Sequence, residues 1–308
     1  MTGATGFVGK HLVRRLLDEG YEVLGLSRRL KHTKRKGLEI IKLDITHASL
    51  CQKLKIYARD LVGIIHLAAL VPKLGVMGSV EQLVRVNSLS TLRLLEFMRE
   101  NNIEKFLYAS TSSIYGYAES LPVNESAQPR PIDFYPDFYP FSKYLGEIFC
   151  DQFRLKYRRK ITVLRISAPY GLGYSIKTVI PIFMEKAAKS EDIIVFGSGK
   201  RSQDYIYIDD VVEGIFRVFI SKDCNGVYNL ATGKSTSTLE LAKAILAIYP
   251  ESKSHIITNT QPDLQEGYSL CLEISKLHEA TGFLPKFSLK QGLLDFKEKW
   301  DKNLKLVA

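Results

Sequence analysis

Gly3-Ala4-Thr5-Gly6-Phe7-Val8-Gly9 places three glycines at a spacing of three residues, and the run leads directly into an amphipathic helical pattern. Glycines at such positions let the backbone approach a pyrophosphate and let the helix pack closely, while free N–H groups and the helix dipole favour the anion. The run therefore predicts a phosphate-binding turn at the start of a helix. An ordinary helix-start turn is the plainer alternative.

Apolar runs with β character alternate with helical patterns through the first half of the chain. The predicted strands are Tyr21–Leu26, Glu39–Leu43, Gly63–Leu67, Lys105–Ser110 and Ile161–Ile166, and the predicted helices are Phe7–Glu19, Val80–Asn101 and Phe141–Tyr157. Strict alternation implies right-handed crossovers and a parallel sheet with helices on both faces. The prediction is an α/β fold in which residues 1–166 form a Rossmann-type doubly wound parallel sheet.

The pattern is less regular after Ile166. Helix-like stretches lie at Ile180–Lys189, Asp210–Phe219 and Leu239–Ile248, strand-like stretches lie at Ile193–Phe196 and Tyr205–Ile208, and a polar tail follows. We predict that residues 167–308 form mainly a smaller substrate-binding lobe, with segments around 204–232 returning to the nucleotide-binding domain.

A glycine turn of this kind should follow a buried strand, yet only Met1 and Thr2 precede Gly3. Burying some five apolar side chains in such a strand would contribute roughly 1.5–3 kcal/mol each. That sum is comparable to the whole net stability of a domain. We therefore expect that the first strand of the sheet is missing from this chain.

The composition is that of an ordinary globular protein, with 308 residues, 45% hydrophobic residues and a formal net charge of +10. No secretory signal opens the chain and no apolar stretch approaches the ~20 residues that span a bilayer, so we expect a cytoplasmic protein without a membrane partner. The basic charge has no nucleic-acid-binding signature beside it, which argues against a nucleic-acid partner. The four cysteines lack the spacing of a zinc site, so we predict buried thiols and no metal.

Cofactor choice is decided at the end of the second strand, where an acidic residue would bind the adenosine ribose hydroxyls. This chain has Ser27-Arg28-Arg29 there, at the start of a basic stretch that otherwise reads as a solvated loop. Arginine pairs well with a 2′-phosphate, so NADP is slightly favoured over NAD. Farther on, Asp44-Ile45 is expected near the adenine ring, and Leu67-Ala68-Ala69 supplies small residues where the backbone must approach the cofactor.

Tyr139-Pro140-Phe141-Ser142-Lys143 places a tyrosine and a lysine one helical turn apart on the same face. A nearby ammonium stabilises a phenolate, so the pair makes a usable acid/base at neutral pH. A second match, Tyr249 with Lys253, lies far from any glycine turn and is set aside. Upstream, Thr111 follows a predicted strand at the sheet edge where such folds bind ligands, which makes it the proposed third member, with a cap or turn role as the alternative.

These motifs together resemble the extended short-chain dehydrogenase/reductase family, in its NAD-dependent epimerase/dehydratase branch. The resemblance is carried by Thr2–Gly9, Leu67–Ala69, Asn87 within Val86–Thr91, Thr111–Gly116, Tyr139–Lys143, Pro169–Gly171, Asp204–Asp210 and Val227–Gly233. It implies that Tyr139 exchanges a proton with a sugar hydroxyl while hydride passes between the same carbon and nicotinamide. It also implies that Lys143 holds the nicotinamide ribose and lowers the Tyr139 pKa, that Thr111 orients the sugar oxygen, and that Asn87 is a structural or cofactor-side residue.

Within this family, dehydratases carry an acidic pair directly after the catalytic threonine, and this chain has Ser112 and Ser113 instead. Dehydration is therefore disfavoured. A nucleotide-sugar 4-epimerase is favoured, an NADP-dependent 4-ketohexose reductase is the alternative, and a non-catalytic NAD(P)-sensing regulator is the alternative of another class. A homodimer is the expected assembly.

The substrate side departs from the common nucleotide-sugar pattern in three places. Ala168, beside Ser167, stands where an asparagine is usual; Gln203 replaces an arginine, with Arg201 as a possible substitute; and Pro262–Gly267 lacks the arginine expected there. Each missing arginine removes a charge-assisted contact worth roughly 1.5–3 kcal/mol. The predicted substrate-binding residues are thus Ser112, Ser113, Ser167, Ala168 and Arg201, and the nucleoside diphosphate rests on the resemblance.

Two further polar features are expected to be structural. Asp209 and Asp210 open a helical pattern, where a capping carboxylate is expected. His66 lies in an apolar strand and is predicted to be a core histidine whose hydrogen bonds are satisfied.

Overall fold

The computed structural model describes residues 1–30, 32–72, 79–133, 137–173, 178–258 and 261–307. The helices are α1 (Phe7–Asp18), α2 (Leu50–Leu54), α3 (Val80–Leu83), α4 (Ser90–Glu100), α5 (Tyr139–Tyr157), α6 (Val179–Ala188), α7 (Ile208–Ile220), α8 (Thr238–Ala247), α9 (Ser275–Thr281) and α10 (Leu289–Val307). The strands are β1 (Val23–Ser27), β2 (Thr33–Arg35), β3 (Leu38–Lys42), β4 (Gly63–His66), β5 (Lys105–Thr111), β6 (Lys160–Ile166), β7 (Ala168–Tyr170), β8 (Ile193–Val195), β9 (Ser202–Gln203), β10 (Tyr205–Tyr207), β11 (Gly226–Leu230), β12 (Thr236–Ser237) and β13 (Ile256–Thr258).

The main sheet consists of two halves, with strand orders β1-β3-β2 and β11-β6-β5-β4. All pairs in it are parallel except β2 with β3. Thr2 joins the halves, because it forms parallel bridges to Leu26 of β1 and to His66 of β4. The predicted Rossmann-type parallel sheet is confirmed, and its carboxyl edge carries the site described below.

The central strands bury both of their faces, which explains their continuous apolar sequences. Ile65, Leu107 and Leu164 pack into the core beneath α1 and α7, whereas the neighbouring Ile64 and Phe106 pack into the core beneath α4 and α5. Successive side chains of a strand point to opposite faces. The sheet is therefore the middle layer of three.

The second half of the chain adds three small two-stranded sheets, β10-β7, β13-β8 and β12-β9. β11 of this half pairs with β6 in the main sheet, with Leu230 opposite Ile166. The division into residues 1–166 and 167–308 stays a prediction. The pairing of β11 shows only that one strand from the second half of the chain belongs to the main sheet.

The expected polar tail is wrong, because the end of the chain forms α9 and α10. Leu277 of α9 and Leu293 and Phe296 of α10 are buried in the core. The sequence pattern is hard to recognise because charged residues are interspersed among the apolar ones, although the apolar ones recur on one face. Such a stripe forms a stable helix once it is packed against a core.

The capping role expected for Asp209 and Asp210 is also wrong. The N-cap of α7 is Tyr207, and both aspartates lie in the first helical turn. The Asp210 carboxylate accepts hydrogen bonds from the backbone N–H groups of Lys286 (2.8 Å) and Phe287 (3.0 Å). It therefore fastens the segment that leads into α10.

The helical stretch predicted at 80–101 contains an unexpected interruption. A π-helical segment spans Val84–Leu89 between α3 and α4. The extra residue of a π turn shifts the side chains that follow, and such turns are common near functional sites. Here the segment carries the buried Asn87, whose contacts are described with the site.

The remaining structural expectations concern His66, the cysteines and the basic stretch. His66 is fully buried and hydrogen-bonds Thr2 Oγ1 (2.6 Å) and Thr91 Oγ1 (3.1 Å), which confirms a satisfied core histidine. The four cysteines are free thiols; Cys150 and Cys224 are buried, whereas Cys51 and Cys271 are only half-buried. The basic stretch is not a plain loop, because Thr33–Arg35 forms the exposed edge strand β2. No helix in the described part of the chain has the length and apolar character to cross a bilayer.

Candidate active site

A cavity of about 730 Å³ opens at the carboxyl edge of the main sheet. Its walls bring together most of the residues predicted from sequence: Gly3, Gly6, Phe7, Val8, Gly9, Arg28, Arg29, Asp44, Ile45, Leu67, Ala68, Ala69, Thr111, Ser112, Ser113, Tyr139, Lys143, Ser167 and Ala168. The volume lies in the range of cofactor and ligand pockets. Asn87 and Arg201 are the two predicted site residues that do not line it.

The glycine turn leaves no room for side chains. A Cβ on Gly9 would lie 1.9 Å from the Gly3 carbonyl oxygen, and a Cβ on Gly3 would lie 2.8 Å from the Ala68 nitrogen. Gly3 also has a φ of +67°, which favours glycine. Gly6 is the N-cap of α1, and the first turn of that helix contains no acidic residue. Phe7, Val8 and Gly9 of this first turn line the cavity, so the positive end of the helix dipole lies beside it and favours an anion.

This arrangement fits the pyrophosphate of a nicotinamide dinucleotide. The backbone of the glycine turn would hold the phosphates, and the small residues Ala68 and Ala69 after β4 leave space beside it. The cavity continues from the turn to Tyr139 and Lys143, so one extended ligand can contact all of these residues. In the described part of the chain, no cluster of histidine, cysteine or acidic residues could hold a metal ion.

Charged side chains line the part of the cavity beyond the ends of β1 and β3, where the adenosine is expected. The Ser27 hydroxyl accepts hydrogen bonds from the backbone N–H groups of Arg29 (3.3 Å) and Leu30 (3.2 Å), which fixes the turn that carries Arg28 and Arg29. Asp44 accepts from the N–H and the hydroxyl of Thr46, both at 2.8 Å. Burial opposes ionisation of Asp44, but these hydrogen bonds outweigh it and lower its pKa below the usual value.

Lys143 is buried although it lines the cavity, with an exposed fraction of 1%. Its Nζ lies 4.1 Å from the centroid of the Tyr108 ring. Burial lowers the pKa of Lys143 from 10.5 to about 7. Because the charged form is poorly solvated there, an ammonium at this place lowers the stability of the fold.

Asn87 does not line the cavity, but its hydrogen bonds support α5, the helix that carries Tyr139 and Lys143. Its amide accepts a hydrogen bond from Leu70 N–H (2.7 Å) and donates to Leu70 O (3.0 Å) and Ser142 Oγ (2.9 Å). Ser142 in turn donates to the carbonyl oxygen of Tyr139 (2.8 Å). Asn87 thus ties the segment after β4 to the first turn of α5, where Tyr139 is the first helical residue.

Thr111 has the cap role that the sequence left open, and its catalytic role stays a prediction. Its hydroxyl accepts from Ser113 N–H (3.2 Å) as the cap of a 3₁₀ turn at Ser112–Tyr115, and Thr111 also lines the cavity. The neighbouring Ser110 was not predicted as a site residue. It lines the cavity too, and its Oγ is buried with no hydrogen-bond partner among the described residues.

A buried ion pair between α5 and β6 was not predicted from the sequence. Arg165 donates from Nε and NH2 to Glu147, with NH2 to Oε2 at 2.8 Å, and both side chains are about 95% buried. Arg165 NH1 donates to the Tyr115 hydroxyl (2.9 Å), which donates to Asn229 Oδ1 (2.7 Å). Glu147 lies one helical turn beyond Lys143, so the network fixes α5 against β6 and the turn after Thr111. The sequence signal was the position of Glu147 on the Tyr139–Lys143 face.

The end of the cavity where substrate is expected, called the substrate end below, is lined by Ser112, Ser113, Ser167, Ala168 and Pro169 together with Gln203, Tyr268 and Leu270. Tyr268 and Leu270 were missed, because they lie in a loop with no regular pattern. The Ser167 hydroxyl donates to the Asp204 carbonyl oxygen (2.5 Å), which occupies its proton in the protein. Arg201 lies two residues from Gln203, and its guanidinium contacts Asp263 and Gln265.

Comparison with known proteins agrees with this geometry. The model of the NAD dependent epimerase/dehydratase family matches residues 1–231. A putative UDP-glucose 4-epimerase of Methanocaldococcus jannaschii is 32% identical over 311 residues, covering 95% of both chains. The structure of a Thermotoga maritima UDP-glucose 4-epimerase with UDP-glucose superposes with a TM-score of 0.88 at 28% identity, covering 98% of both chains. A Bacillus cereus UDP-glucuronic acid 4-epimerase in complex with UDP-glucuronic acid and NAD gives 0.84 at 25% identity, again with 98% coverage of both.

A dinucleotide-binding sheet with this cavity defines an enzyme that uses a nicotinamide cofactor. The chain belongs to the NAD-dependent epimerase/dehydratase family. The resemblance stated from sequence is confirmed.

Proposed function

We propose that this enzyme is an NAD(P)-dependent 4-epimerase of a nucleoside-diphosphate-linked sugar. The observation that carries the proposal is that Tyr139, Lys143 and Thr111 all line the cavity that also contains the glycine turn. The solved relatives that hold UDP-sugars support the substrate class.

In this proposal each residue has one task. A nicotinamide dinucleotide, when bound, takes up and returns the hydride. Tyr139 removes the proton of the sugar 4-hydroxyl and later returns it to the same oxygen. The Lys143 ammonium stabilises the phenolate of Tyr139 and binds ribose hydroxyls, and the Thr111 hydroxyl orients the sugar oxygen.

Ser112 and Ser113 support epimerisation rather than dehydration. Dehydration needs a group that protonates a leaving hydroxyl and a base that abstracts an α-proton, and two neutral hydroxyls at these places supply neither. An NADP-dependent 4-ketohexose reductase uses the same three residues. It is the second candidate, because Arg28 and Arg29 line the adenosine end and suit a 2′-phosphate.

We also propose that the enzyme is a cytoplasmic homodimer. Phe141, Ile148 and Leu155 are exposed by 42%, 41% and 58% and recur every seven residues along α5. A stripe with this spacing suits antiparallel packing against the same helix of a second copy. Light scattering tests this proposal. The native chain should be a dimer, and Ile148→Glu should be a monomer because it places a charge in the proposed contact.

The deciding experiment identifies the nicotinamide nucleotide that co-purifies with the protein and then screens nucleotide sugars. Inversion at C4 without net consumption of cofactor is expected. Stoichiometric oxidation of NADPH with a 4-keto sugar would select the reductase instead. Cofactor binding without turnover of any sugar would favour the sensing regulator.

A further inference from the structure

Among the residues that the structure describes, none with a positive charge lines the substrate end of the cavity, although the proposed substrate carries a diphosphate. The described residues that line this end are serines, alanine, proline, glutamine, tyrosine and leucine. The charged residues of the described lining are Arg28, Arg29, Asp44 and Lys143, which lie at the adenosine end or beside Tyr139. A diphosphate at the substrate end would therefore meet no charged partner among the described residues of that wall.

Arg201 lies beside this wall, and an acidic residue already neutralises it. Its Nε lies 3.1 Å from Asp263 Oδ2, and its NH1 donates to Gln265 Oε1 (2.7 Å). The Asp263 side chain is only 7% exposed, so water screens the pair weakly. Arg201 is close enough to Tyr268, on the cavity wall, for its charge to lower the pKa of that phenol, although burial raises it more.

The loop that carries Asp263 is fixed in place. Asp263 Oδ1 accepts from Gln265 N–H (3.0 Å), and the Asp263 carbonyl oxygen accepts from Glu266 N–H (3.0 Å). The loop is joined to β9 by hydrogen bonds from Ser202 N–H to Tyr268 O (3.0 Å) and from Leu270 N–H to Ser202 O (3.1 Å). Asp263 therefore does not move aside without breaking several bonds.

We infer that Asp263 is a specificity-determining residue that keeps Arg201 from the diphosphate of the substrate. This inference rests on the proposed function, since it concerns the substrate of the same site. The nucleotide carrier is held weakly, and recognition depends on the hydroxyl and aromatic groups of the wall. The chain thus favours substrates whose carrier needs no cation at this place.

The test measures binding of UDP, by calorimetry, to the full chain and its variants. Asp263→Asn keeps the side-chain shape and frees the Arg201 charge, so UDP should bind about tenfold more tightly, as expected for one added charge-assisted contact of about 1.4 kcal/mol. The gain should shrink at high salt. Glu266→Gln is the matched control. It removes one negative charge from the same loop, but Glu266 bonds Ser198 instead of Arg201, so less than a twofold change is expected.

A third variant shows whether the gain depends on Arg201. The double variant Arg201→Gln, Asp263→Asn should lose the added affinity. If Asp263→Asn binds UDP no better than the native chain, or worse, the inference is overturned, because Asp263 then orients Arg201 for phosphate instead of withholding it.

Gln203→Arg keeps the inference testable if Asp263→Asn does not fold. It places a cation on the cavity wall without touching the ion pair, so a tenfold gain in UDP affinity supports the inference and no gain overturns it. UDP binding needs no turnover. Absence of C4 inversion would therefore reject the proposed function alone, and unchanged UDP affinity in an active enzyme would reject this inference alone.

Discussion

The two ends of the cavity handle charge in different ways. At the cofactor end, donors of the glycine turn, two arginines and the buried Lys143 surround the space that an anionic dinucleotide would fill. At the substrate end, the described lining is uncharged, and Arg201 is paired with Asp263. The difference teaches that binding the cofactor and recognising the substrate are separate problems in this fold. The expected cofactor end combines the backbone of a local turn with charged side chains, whereas the described lining of the expected substrate end consists of uncharged side chains from several loops.

Substitution of the proposed catalytic residue Tyr139 should reduce activity more than any other change considered below. Replacing Tyr139 with Phe removes the proton carrier, so C4 inversion should fall by about 10²- to 10⁴-fold at unchanged cofactor affinity. Steady-state kinetics and cofactor titration check this result. Tyr249→Phe, in the second tyrosine–lysine match, is the control and should leave the rate unchanged. Undiminished activity of Tyr139→Phe would rule out the proposed mechanism.

Removal of the buried ammonium of Lys143 should increase the stability of the fold. Its pKa is lowered from 10.5 to about 7, so the folded protein holds that proton less tightly than the unfolded chain does. Lys143→Met should therefore raise the free energy of unfolding, by at most about 4 kcal/mol at pH 7, while activity is lost. The difference should be largest below pH 7 and should vanish as pH rises from about 7 to 10.5.

Urea unfolding over this pH range is the measurement, and Lys156→Met, an exposed lysine of α5, is the control without such a gain. A Lys143→Met protein that is less stable than the native chain would show that the ammonium is well solvated.

Tyr115→Phe should weaken the buried hydrogen-bond network of Glu147 and Arg165, which fixes α5 against β6. It leaves a buried N–H of Arg165 and the Asn229 oxygen without this partner, so stability should fall by about 1–3 kcal/mol. Chemical denaturation checks the value. Tyr157→Phe, whose ring packs beside Phe153 on the same helix, should change stability much less. Equal losses of stability in the two variants would show that the hydrogen bonds of Tyr115 contribute no more than those of an ordinary tyrosine on α5.

Arg28→Ser with Arg29→Ser should produce the smallest effect. If these arginines bind a 2′-phosphate, NADP affinity should fall by about tenfold and NAD affinity should stay the same. Fluorescence titration with both nucleotides measures the ratio. Arg35→Ser, in the exposed strand β2 of the same basic stretch, is the control. A parallel loss of both nucleotides would argue against a preference for NADP.

The sequence by itself determined the fold and most of the cofactor side. Strands such as Lys105–Thr111 are apolar on both faces, which specifies the middle layer of a parallel sheet, and a glycine turn places its N–H groups by local geometry. Tyr139 and Lys143 share a helical face through local spacing. These features depend on neighbours within a few residues, so a linear pattern is sufficient to predict them.

Tertiary structure alone decided the rest. The Glu147–Arg165 pair, the contact of Asp210 with Lys286 and Phe287, the packing of α10 and the Asp263–Arg201 pair join residues that are far apart in sequence. A charged residue in such a pair looks in sequence like a solvated one. Its role follows from burial and from its partner, which is why the Asp263–Arg201 pair could not be predicted from the order of the residues.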